Sequence, residues 1–573
     1  MGSELGVTAQ SKDAATLTPV AIWWVVWGCV WTLFVSLGVA YLIKHRESPT
    51  VRIRGLGLTL PAVFFLHIYF WAVQSGVMIG NLMPGDAMYW MMGTWLPIGV
   101  SLFYASNGRF IHIAKLQKKY AYPCNRLSVK ASPKHKESLL ARFQRLDYST
   151  RSFIVVGISM FVQILLTILM WVISRRFHST WGIPGTEVHG TAMEQKSAQG
   201  KGWEWWPGVA SQFFWSWIVA PYVLWKARDI NDTQGWRTQT IACAIAGLPG
   251  TPLWLCGIYV DAFAPMATVW IPPQWICLSI IVIEIFTIFL PCWEVMHRQS
   301  LRQETLEAIA QWEARNKTGG ETKSMGSGPT IVASILSGFR STKGSIQSNA
   351  SNESILTMGA LEYVLDRNPG PLQEFSALRE FSGENIAFLT AVAEWKSSLP
   401  VALQDKTAPR DDKIQELMRD PFNRALHLYA EFISPSHAEF PVNLSHQVLR
   451  KPEQIFEKPT ALLYGEREHP EPATPFRETF NLDSPVTPLS GDSEKGLNSS
   501  SHEIKDLVQY WGEIPAEFDA SIFDEAESSI KYLVLTNTWP KFIRSHRASI
   551  ASGSSTTLDG GDIVVSLGDE RST

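Results

Sequence analysis

The chain is poor in the residues from which disulfide frameworks and metal sites are built. Its 573 residues include six cysteines, and none of them forms a CxxC pair, so neither a disulfide scaffold nor a zinc site is expected. The sequence also lacks a Walker phosphate loop, a metal-spaced cluster of His, Cys, Asp or Glu, and a nucleophile–base motif. We therefore expect no catalytic site of its own, no metal and no cofactor. The net charge of −3 gives no reason to expect a nucleic-acid partner.

A cleavable signal peptide is not evident either. The first 18 residues are polar, and the apolar run that follows is longer than the hydrophobic region of a signal peptide. We predict that this run stays in the membrane as the first span and that residues 1–18 form an extracellular tail.

Long apolar runs lie between residues 19 and 293, and twenty of the 24 tryptophans lie before residue 300. A helix needs about 20 apolar residues to cross a bilayer, and tryptophan collects at the two interfaces with water. The sequence therefore predicts a seven-helix transmembrane bundle over 19–296, in contact with the lipid bilayer. The predicted spans are 19–43, 56–80, 87–107, 152–174, 207–225, 238–260 and 269–293.

The lysines and arginines between these spans predict the orientation. Eighteen lie in loops on one side and four on the other, and the richer side is normally cytoplasmic. We predict an N-terminus outside the cell, a cytoplasmic chain after residue 294 and a plasma-membrane location. The loop 108–151 alone carries eleven of these charges. It is either a topological signal attracted to anionic lipid or a docking surface for a G protein.

Seven spans are typical of G-protein-coupled receptors, but two receptor signatures are missing. The third span ends in residues 103–109 without an acidic–Arg–aromatic triplet, and the seventh ends in residues 290–293 without Asn-Pro-x-x-Tyr. The likeness to receptors therefore depends on the number of spans alone.

Two ionisable residues lie within predicted spans. Glu284 is in the middle of the seventh span, where a charge is costly and often functional. It is either a hydrogen-bonded contact between helices or a site for a ligand, an ion or a switch. We interpret His67, in the second span, as a polar residue satisfied by packing.

Acidic residues beside tryptophans on the predicted outer side suggest an extracellular small-molecule ligand. Asp86, Glu204 and Asp261 are the residues concerned. They are interpreted either as the lining of an aromatic mouth or as solvated loop charges next to interfacial anchors.

Composition divides the rest of the chain. We predict a cytoplasmic helix and a Gly- and Ser-rich flexible linker over 297–352, a helical domain over 353–548 and a disordered tail over 549–573. A Pro- and Ser-rich insert at about 458–503 is predicted to be a disordered loop within that domain.

Apolar residues at helical spacing predict an all-α domain after about residue 355, and three ordered blocks in it carry a resemblance. The first is 380–389, Glu-Phe-Ser-Gly-Glu-Asn-Ile-Ala-Phe-Leu; the second is 428–436 with 442–444; the third is 523–526 with 539–545. Together they are similar to the regulator of G-protein signalling (RGS) domain. Seven spans followed by such a domain resemble the receptor-like RGS proteins of fungi and plants.

The resemblance implies a GTPase-activating partner of the Gα subunits of heterotrimeric G proteins. Such domains add no catalytic residue, because Gα carries its own arginine and a glutamine that orients water. They bind the switch regions of Gα best in the transition state. Asn385 is implied to contact that glutamine, a task suited to an amide because it donates and accepts. The matching Gα-binding positions are Glu384, Asn385, Asn443, Asn537, Thr538 and Lys541.

The chain departs from the family pattern at several of these places. Pro441 and Ser445 stand where acidic residues usually flank the Val-Asn-Leu triplet, and Asn537 also replaces an acidic residue. The missing charge-assisted contacts imply an altered affinity for Gα or choice of Gα. Gly383 replaces a commonly acidic residue as well, and we attribute it to a tight turn beside Ser382, a candidate helix N-cap.

Three functions fit the sequence. The first is a membrane-anchored GTPase activator that attenuates G-protein signalling under the control of an extracellular ligand. The second is a receptor that activates Gα and carries an RGS domain as feedback. The third is a transporter or channel with an RGS domain that only tethers. The missing receptor motifs favour the first.

Overall fold

The computed structural model describes residues 5–121, 143, 148–178, 180–318, 356–400, 412–465 and 509–546, and every structural statement below refers to these. Within these ranges the chain is helical, and its one β-type pairing is an isolated bridge between Ser174 and Ile183. The predicted all-α class is confirmed.

The described residues between 5 and 318 form the N-terminal bundle. Its α-helices are α1 (Pro19–Lys44), α2 (Pro49–Arg54), α3 (Leu56–Ile79), α4 (Gly85–Ala121), α5 (Tyr148–Ile173), α6 (Ala192–Gln199), α7 (Trp206–Phe213), α8 (Ala220–Ala227), α9 (Trp236–Tyr259), α10 (Gln274–Glu284) and α11 (Leu290–Thr318). Short 3₁₀ turns cover Trp203–Trp205, Asp261–Phe263 and Met266–Thr268. π-Helical turns over Phe214–Val219 and Ile285–Phe289 join α7 to α8 and α10 to α11 without a break.

Five helices have the length and apolar character needed to cross a membrane. Two of them, α1 and α5, leave most of their apolar side chains uncovered: Phe161 is 68% exposed and Leu33 is 59% exposed. Such surfaces are unfavourable in water but suit contact with lipid, so they indicate a membrane protein. The five are Pro19–Lys44, Leu56–Ile79, Thr150–Ile173, Trp236–Tyr259 and Gln274–Glu307.

The two other predicted spans are helical but fall outside this set of five. Residues 87–107 lie in α4, and residues 207–225 lie in α7, the π-turn and α8. Both contribute to the same hydrophobic core as α3 and α10, with Leu96 and Val209 among the buried side chains. Their inner sides pack on protein, which explains why their composition is less uniformly apolar than that of α5.

The last apolar helix is longer than its predicted span. After the π-turn that follows α10, α11 continues to Thr318, so the cytoplasmic helix expected at the start of 297–352 is an extension of the seventh predicted span. The N-terminal tail also differs from a simple polar segment, because Leu5 and Val7 are buried against the bundle. Most of the predicted linker lies outside the described residues.

The described residues between 356 and 546 form the C-terminal domain. Its helices are α12 (Met358–Arg367), α13 (Gly370–Leu378), α14 (Gly383–Ser397), α15 (Asp412–Leu428), α16 (His446–Tyr464) and α17 (Asp524–Leu533). π-Turns over Tyr429–Ile433 and Val534–Thr538 extend α15 and α17, and the chain stays helical to residue 546. Phenylalanines hold the centre together: the ring of Phe388 lies 6.0 Å from Phe432 and 6.3 Å from Phe523.

Helix α16 continues beyond the predicted start of the insert at 458, because its last turns are part of the fold. Thr460 is fully buried and Leu463 packs against the core. The rest of the predicted insert and the predicted tail 549–573 lie outside the described residues.

Candidate functional site

The three blocks that carry the resemblance meet at one end of the C-terminal domain, and this end is packed against the N-terminal bundle. Lys541 Nζ lies 2.7 Å from Glu380 Oε2, which joins the third block to the first. Arg52 of the bundle bridges the second block and the first, since it donates to Asn443 Oδ1 at 3.4 Å and attracts the carboxylate of Glu384. Glu384, Asn443 and Lys541, one predicted Gα-binding position from each block, are therefore linked through Arg52 and Glu380.

The turn between α13 and α14 is held in an uncommon backbone conformation. Phe381 has φ +51°, a region that side chains other than glycine rarely adopt, and it is 1% exposed. Its ring makes edge-to-face contacts with Phe110 at 6.0 Å and Trp236 at 6.5 Å, both in the bundle. Ser376 Oγ donates to Ser382 O at 2.8 Å and fixes the turn from inside the domain.

Gly383 is required by close packing rather than by a tight turn. A Cβ at this position would lie 2.6 Å from Ala377 Cβ and 2.8 Å from Tyr120 Cβ, and Gly383 is not among the residues with positive φ. Ser382 occupies the N-cap position of α14, but its side chain makes no capping hydrogen bond. The prediction that a tight turn explains Gly383 is therefore wrong: an acidic side chain here would collide with Tyr120.

Glu384 is clamped by one glutamine of the bundle. Gln117 Nε2 donates to Glu384 Oε2 at 2.9 Å, while Gln117 Oε1 accepts from Gly383 N at 3.0 Å. Glu384 is 8% exposed, and burial raises the pKa of its carboxyl to about 7 although Gln117 and Arg52 favour the charged form. A carboxyl in the first turn of a helix is favourably placed towards the helix dipole.

Asn385 is buried with an unused hydrogen-bonding group. Its side chain is 6% exposed, and its Oδ1 has no hydrogen-bond partner among the described residues. Leaving a buried acceptor unpaired costs about 1–3 kcal/mol. The Asn385 amide is therefore buried while its oxygen accepts no hydrogen bond from the described residues.

The second block is held by Arg52, which lies in the short helix α2 of the bundle. Arg52 Nη2 donates to Pro441 O at 2.9 Å, so Pro441 contributes a carbonyl where the family pattern has an acid. Asn443 itself is exposed. Ser445 is the N-cap of α16, and its Oγ accepts from Val448 N. Capping explains this serine at a position that is usually acidic.

Lys541, a charged residue of the third block, is largely buried and paired within the protein. The Lys541–Glu380 pair is completed by Arg298 on α11, whose Nη2 lies 3.5 Å from Glu380 Oε2. Burial lowers the pKa of Lys541, against the attraction of Glu380. Thr538 is 2% exposed, and Asn537 beside it is half-buried. Lys541, assigned from sequence to Gα, is thus already engaged within the chain.

The sequence analysis did not identify the surface of the bundle that meets this face. We call it the docking face; it comprises Arg52, Phe110, Gln117, Tyr120 and Trp236. Part of it lies in 108–121, which was predicted as loop but continues helix α4. The available signal was the apolar pair Phe110 and Ile113 just beyond the predicted span end, but the surrounding basic residues indicated a loop.

The two intramembrane candidates, His67 and Glu284, form one cluster. His67 Nδ1 lies 2.8 Å from Glu284 Oε1, and Trp31 Nε1 donates to Glu284 Oε2 at 2.5 Å. The other ring nitrogen, His67 Nε2, lies 3.0 Å from Thr32 Oγ1. Both carboxylate oxygens therefore have partners, an arrangement that fits the interhelix-contact interpretation of Glu284 and the packing interpretation of His67.

The predicted outer mouth is not an open acidic site. Glu204 is 1% exposed; Ser174 Oγ donates to it, and Arg176 Nε lies 3.3 Å from its Oε1. Trp171 Nε1 donates to Asp86 Oδ1 at 3.4 Å, whereas Asp261 is exposed. The cavity beside Glu204 has a volume of about 20 Å³, room for about one water. Glu204 is thus a buried ion-pair partner rather than a mouth residue.

No group of three or more His, Cys, Asp or Glu side chains among the described residues is arranged to hold a metal ion. Compared with protein-family models, with curated proteins and with solved structures, the chain has no match.

Proposed function

We propose that the chain is a membrane-anchored activator of GTP hydrolysis by Gα subunits and so attenuates G-protein signalling. The observation that carries this proposal is that three blocks far apart in sequence meet on one face of one helical domain. The Lys541–Glu380 contact and the position of Arg52 between Asn443 and Glu384 define that face. A chance resemblance would not be expected to place its separate blocks together.

The proposed mechanism is binding that favours the transition state of Gα. Gα supplies its own arginine and glutamine, and the activator holds the switch regions in the reactive arrangement. Asn385 suits the contact with the water-orienting glutamine, because its buried Oδ1 has no partner among the described residues. Its amide can accept from that glutamine and donate to it.

The proposed membrane topology has seven spans, with the N-terminus outside and the C-terminal domain at the cytoplasmic side of the plasma membrane. It is supported by the five apolar helices, and by the fact that α4, α7 and α8 share one hydrophobic core with them. The excess of lysine and arginine in the loops next to the C-terminal domain supports the orientation. A small extracellular ligand as the controlling input is part of the proposal, although Glu204 no longer contributes to its site.

The test is single-turnover GTP hydrolysis by Gαi-class subunits, with the full-length chain in lipid nanodiscs. We expect acceleration by the wild type and loss of about tenfold or more of it in Asn385→Ala, since a hydrogen bond of 1.5–3 kcal/mol to a charged transition state corresponds to roughly that factor. Asn368→Ala, an exposed amide outside the three blocks, is the matched control.

Equal acceleration by the wild type and Asn385→Ala would contradict the assigned contact. The function would be contradicted if GTP hydrolysis by several Gα subunits were accelerated neither by the wild type nor by the variant Arg52→Ala/Gln117→Ala. A parallel measurement of nucleotide exchange distinguishes this function from that of a receptor, because a receptor would speed the release of GDP from Gα.

A further inference from the structure

One continuous hydrophobic core joins the two parts of the molecule. Buried residues of the bundle, among them Phe110 and Trp236, belong to the same cluster as Phe381 and Phe432 of the C-terminal domain. Tyr120 packs against Phe432 at 6.4 Å and Phe440 at 6.2 Å. Buried aromatic anchors at the centre of a contact are typical of a specific interface.

Polar contacts surround these aromatic residues. Beside the Gln117 and Arg52 clamps, Thr233 N donates to Arg379 O at 3.1 Å and Gln234 Nε2 donates to Glu380 O at 2.6 Å. Lys119 of the bundle pairs with Glu439. An apolar centre with a hydrogen-bonded rim is the anatomy of a specific protein–protein contact.

The covered face is the same face that the proposed function needs to be open. Glu384, Asn385 and Thr538 are 8%, 6% and 2% exposed. Gln117 already occupies the hydrogen-bonding groups of Glu384 and of Gly383 N. A switch region of Gα and the docking face cannot contact these residues at the same time.

We propose that the docking face is an intramolecular inhibitor: packed as in this structure, the chain cannot engage Gα, and release of the C-terminal domain from the bundle exposes the activating surface. The inference rests on the proposed function. Because both surfaces belong to one chain, the docking face acts at a high effective concentration, and Gα binds only the released fraction.

Two features of the docked state agree with a contact that is meant to be exchanged. Phe381 keeps its unfavourable φ while its ring is covered by Phe110 and Trp236, and strained residues tend to occur where a structure switches. Asn385 Oδ1 gains no partner from the bundle among the described residues. The docking face covers this amide without replacing the contact that Gα would supply.

The first test changes only the bundle, so that the Gα-binding positions stay intact. The full-length double variant Arg52→Ala/Gln117→Ala in nanodiscs is compared with the wild type in single-turnover hydrolysis by GTP-loaded Gαi. We expect the variant to accelerate hydrolysis several-fold more than the wild type. The control Arg46→Ala/Gln303→Ala removes an exposed arginine and an exposed glutamine whose ion pair and hydrogen bond are with Glu47 and Glu307 of the bundle, and it should match the wild type.

The second test locks the docked state. Thr233 N lies 3.1 Å from Arg379 O, so the two backbones are in direct contact, and a cysteine pair is placed there because a disulfide needs Cα atoms about 4.4–6.8 Å apart. Thr233→Cys/Arg379→Cys should cross-link on oxidation, lose most of its acceleration and regain it with a reductant. Each single-cysteine variant controls for oxidation of the native thiols.

The outcomes distinguish the two levels of the proposal. If the cross-linked protein accelerates hydrolysis as well as the reduced one, inhibition by docking is wrong while the function stands. Failure of the cross-link to form would also overturn the docked geometry. If neither reduced Thr233→Cys/Arg379→Cys nor Arg52→Ala/Gln117→Ala accelerates GTP hydrolysis, the proposed function is wrong, and so is inhibition by docking.

Discussion

Two buried polar clusters in this molecule differ in how completely their hydrogen bonds are made. In the membrane cluster, both oxygens of Glu284 have partners, His67 and Trp31. At the docking face, Glu384 is clamped, but Asn385 Oδ1 and Glu380 Oε1 have no hydrogen-bond partner among the described residues. A completed cluster fixes the helices that form it, whereas an incomplete one at a contact between two domains leaves groups for another partner.

Removal of Glu284 should have the largest effect on stability. Glu284→Ala leaves the polar groups of His67 and Trp31 without their acceptor, and breaking a buried pair costs about 3 kcal/mol or more. Thermal unfolding of the full-length chain in detergent checks this. Glu284→Gln, which keeps one acceptor, should lose less, and Glu47→Ala on the exposed surface should lose little. A neutral result for Glu284→Ala would show that the cluster does not hold the helices.

Removal of the Asn385 amide should change stability in the opposite direction from removal of Glu284. Asn385→Ala deletes a buried acceptor without a partner among the described residues, so we expect stability to stay within about 1 kcal/mol of the wild type and to change in the stabilising direction. The same thermal measurement checks it. A loss as large as that of Glu284→Ala would mean that the amide is bonded in the resting protein, and the contrast between the clusters would disappear.

Sequence reasoning identified Glu284, His67, Glu384 and Asn385 but not the residues around them, Trp31 and Gln117 among them. Glu284 and His67 stood out because ionisable groups are rare inside apolar runs, and the three blocks stood out by their order. Their pairing across α3 and α10 depends on helix rotation, which a residue pattern alone does not determine. The docking face was missed because Gln117 and Tyr120 lie within a basic stretch that was predicted to be a loop, and only the extension of α4 brings them to the C-terminal domain.

Other expectations failed for similar physical reasons. Glu204 was expected either in an open mouth or among solvated loop charges, but it is buried beside Arg176 and Ser174. Gly383 was explained by a local turn, while the actual constraint is Tyr120, distant in sequence. Local patterns describe local conformation, whereas close approach between distant segments is decided by tertiary packing.

The smallest predicted effect is a pH dependence of docking. The pKa of Glu384 is about 7 when docked and should fall towards the ordinary value of about 4.3 when the domain is released. The docked form then binds more protons, so this group favours docking most at low pH, and the preference is lost as the pH rises through about 7. Arg52 is the charged group of the bundle that faces it.

Energy transfer between a label on the bundle and a label on the C-terminal domain measures this dependence. We expect less transfer at pH 7.5 than at pH 6 in the wild type and a flatter profile in Glu384→Gln. An increase in transfer with rising pH, or an identical profile in Glu384→Gln, would contradict the assignment of the titrating group.

The central claim is that the bundle and Gα compete for one face of the C-terminal domain. The most direct measurement is the rate at which Thr233→Cys/Arg379→Cys cross-links in nanodiscs while Gα is added. The account predicts that Gα bound to GDP and aluminium fluoride, a mimic of the transition state, slows cross-linking, whereas Gα bound to GDP alone does not. Cross-linking at an unchanged rate while the mimic is demonstrably bound would contradict it, because the two surfaces would then be separate.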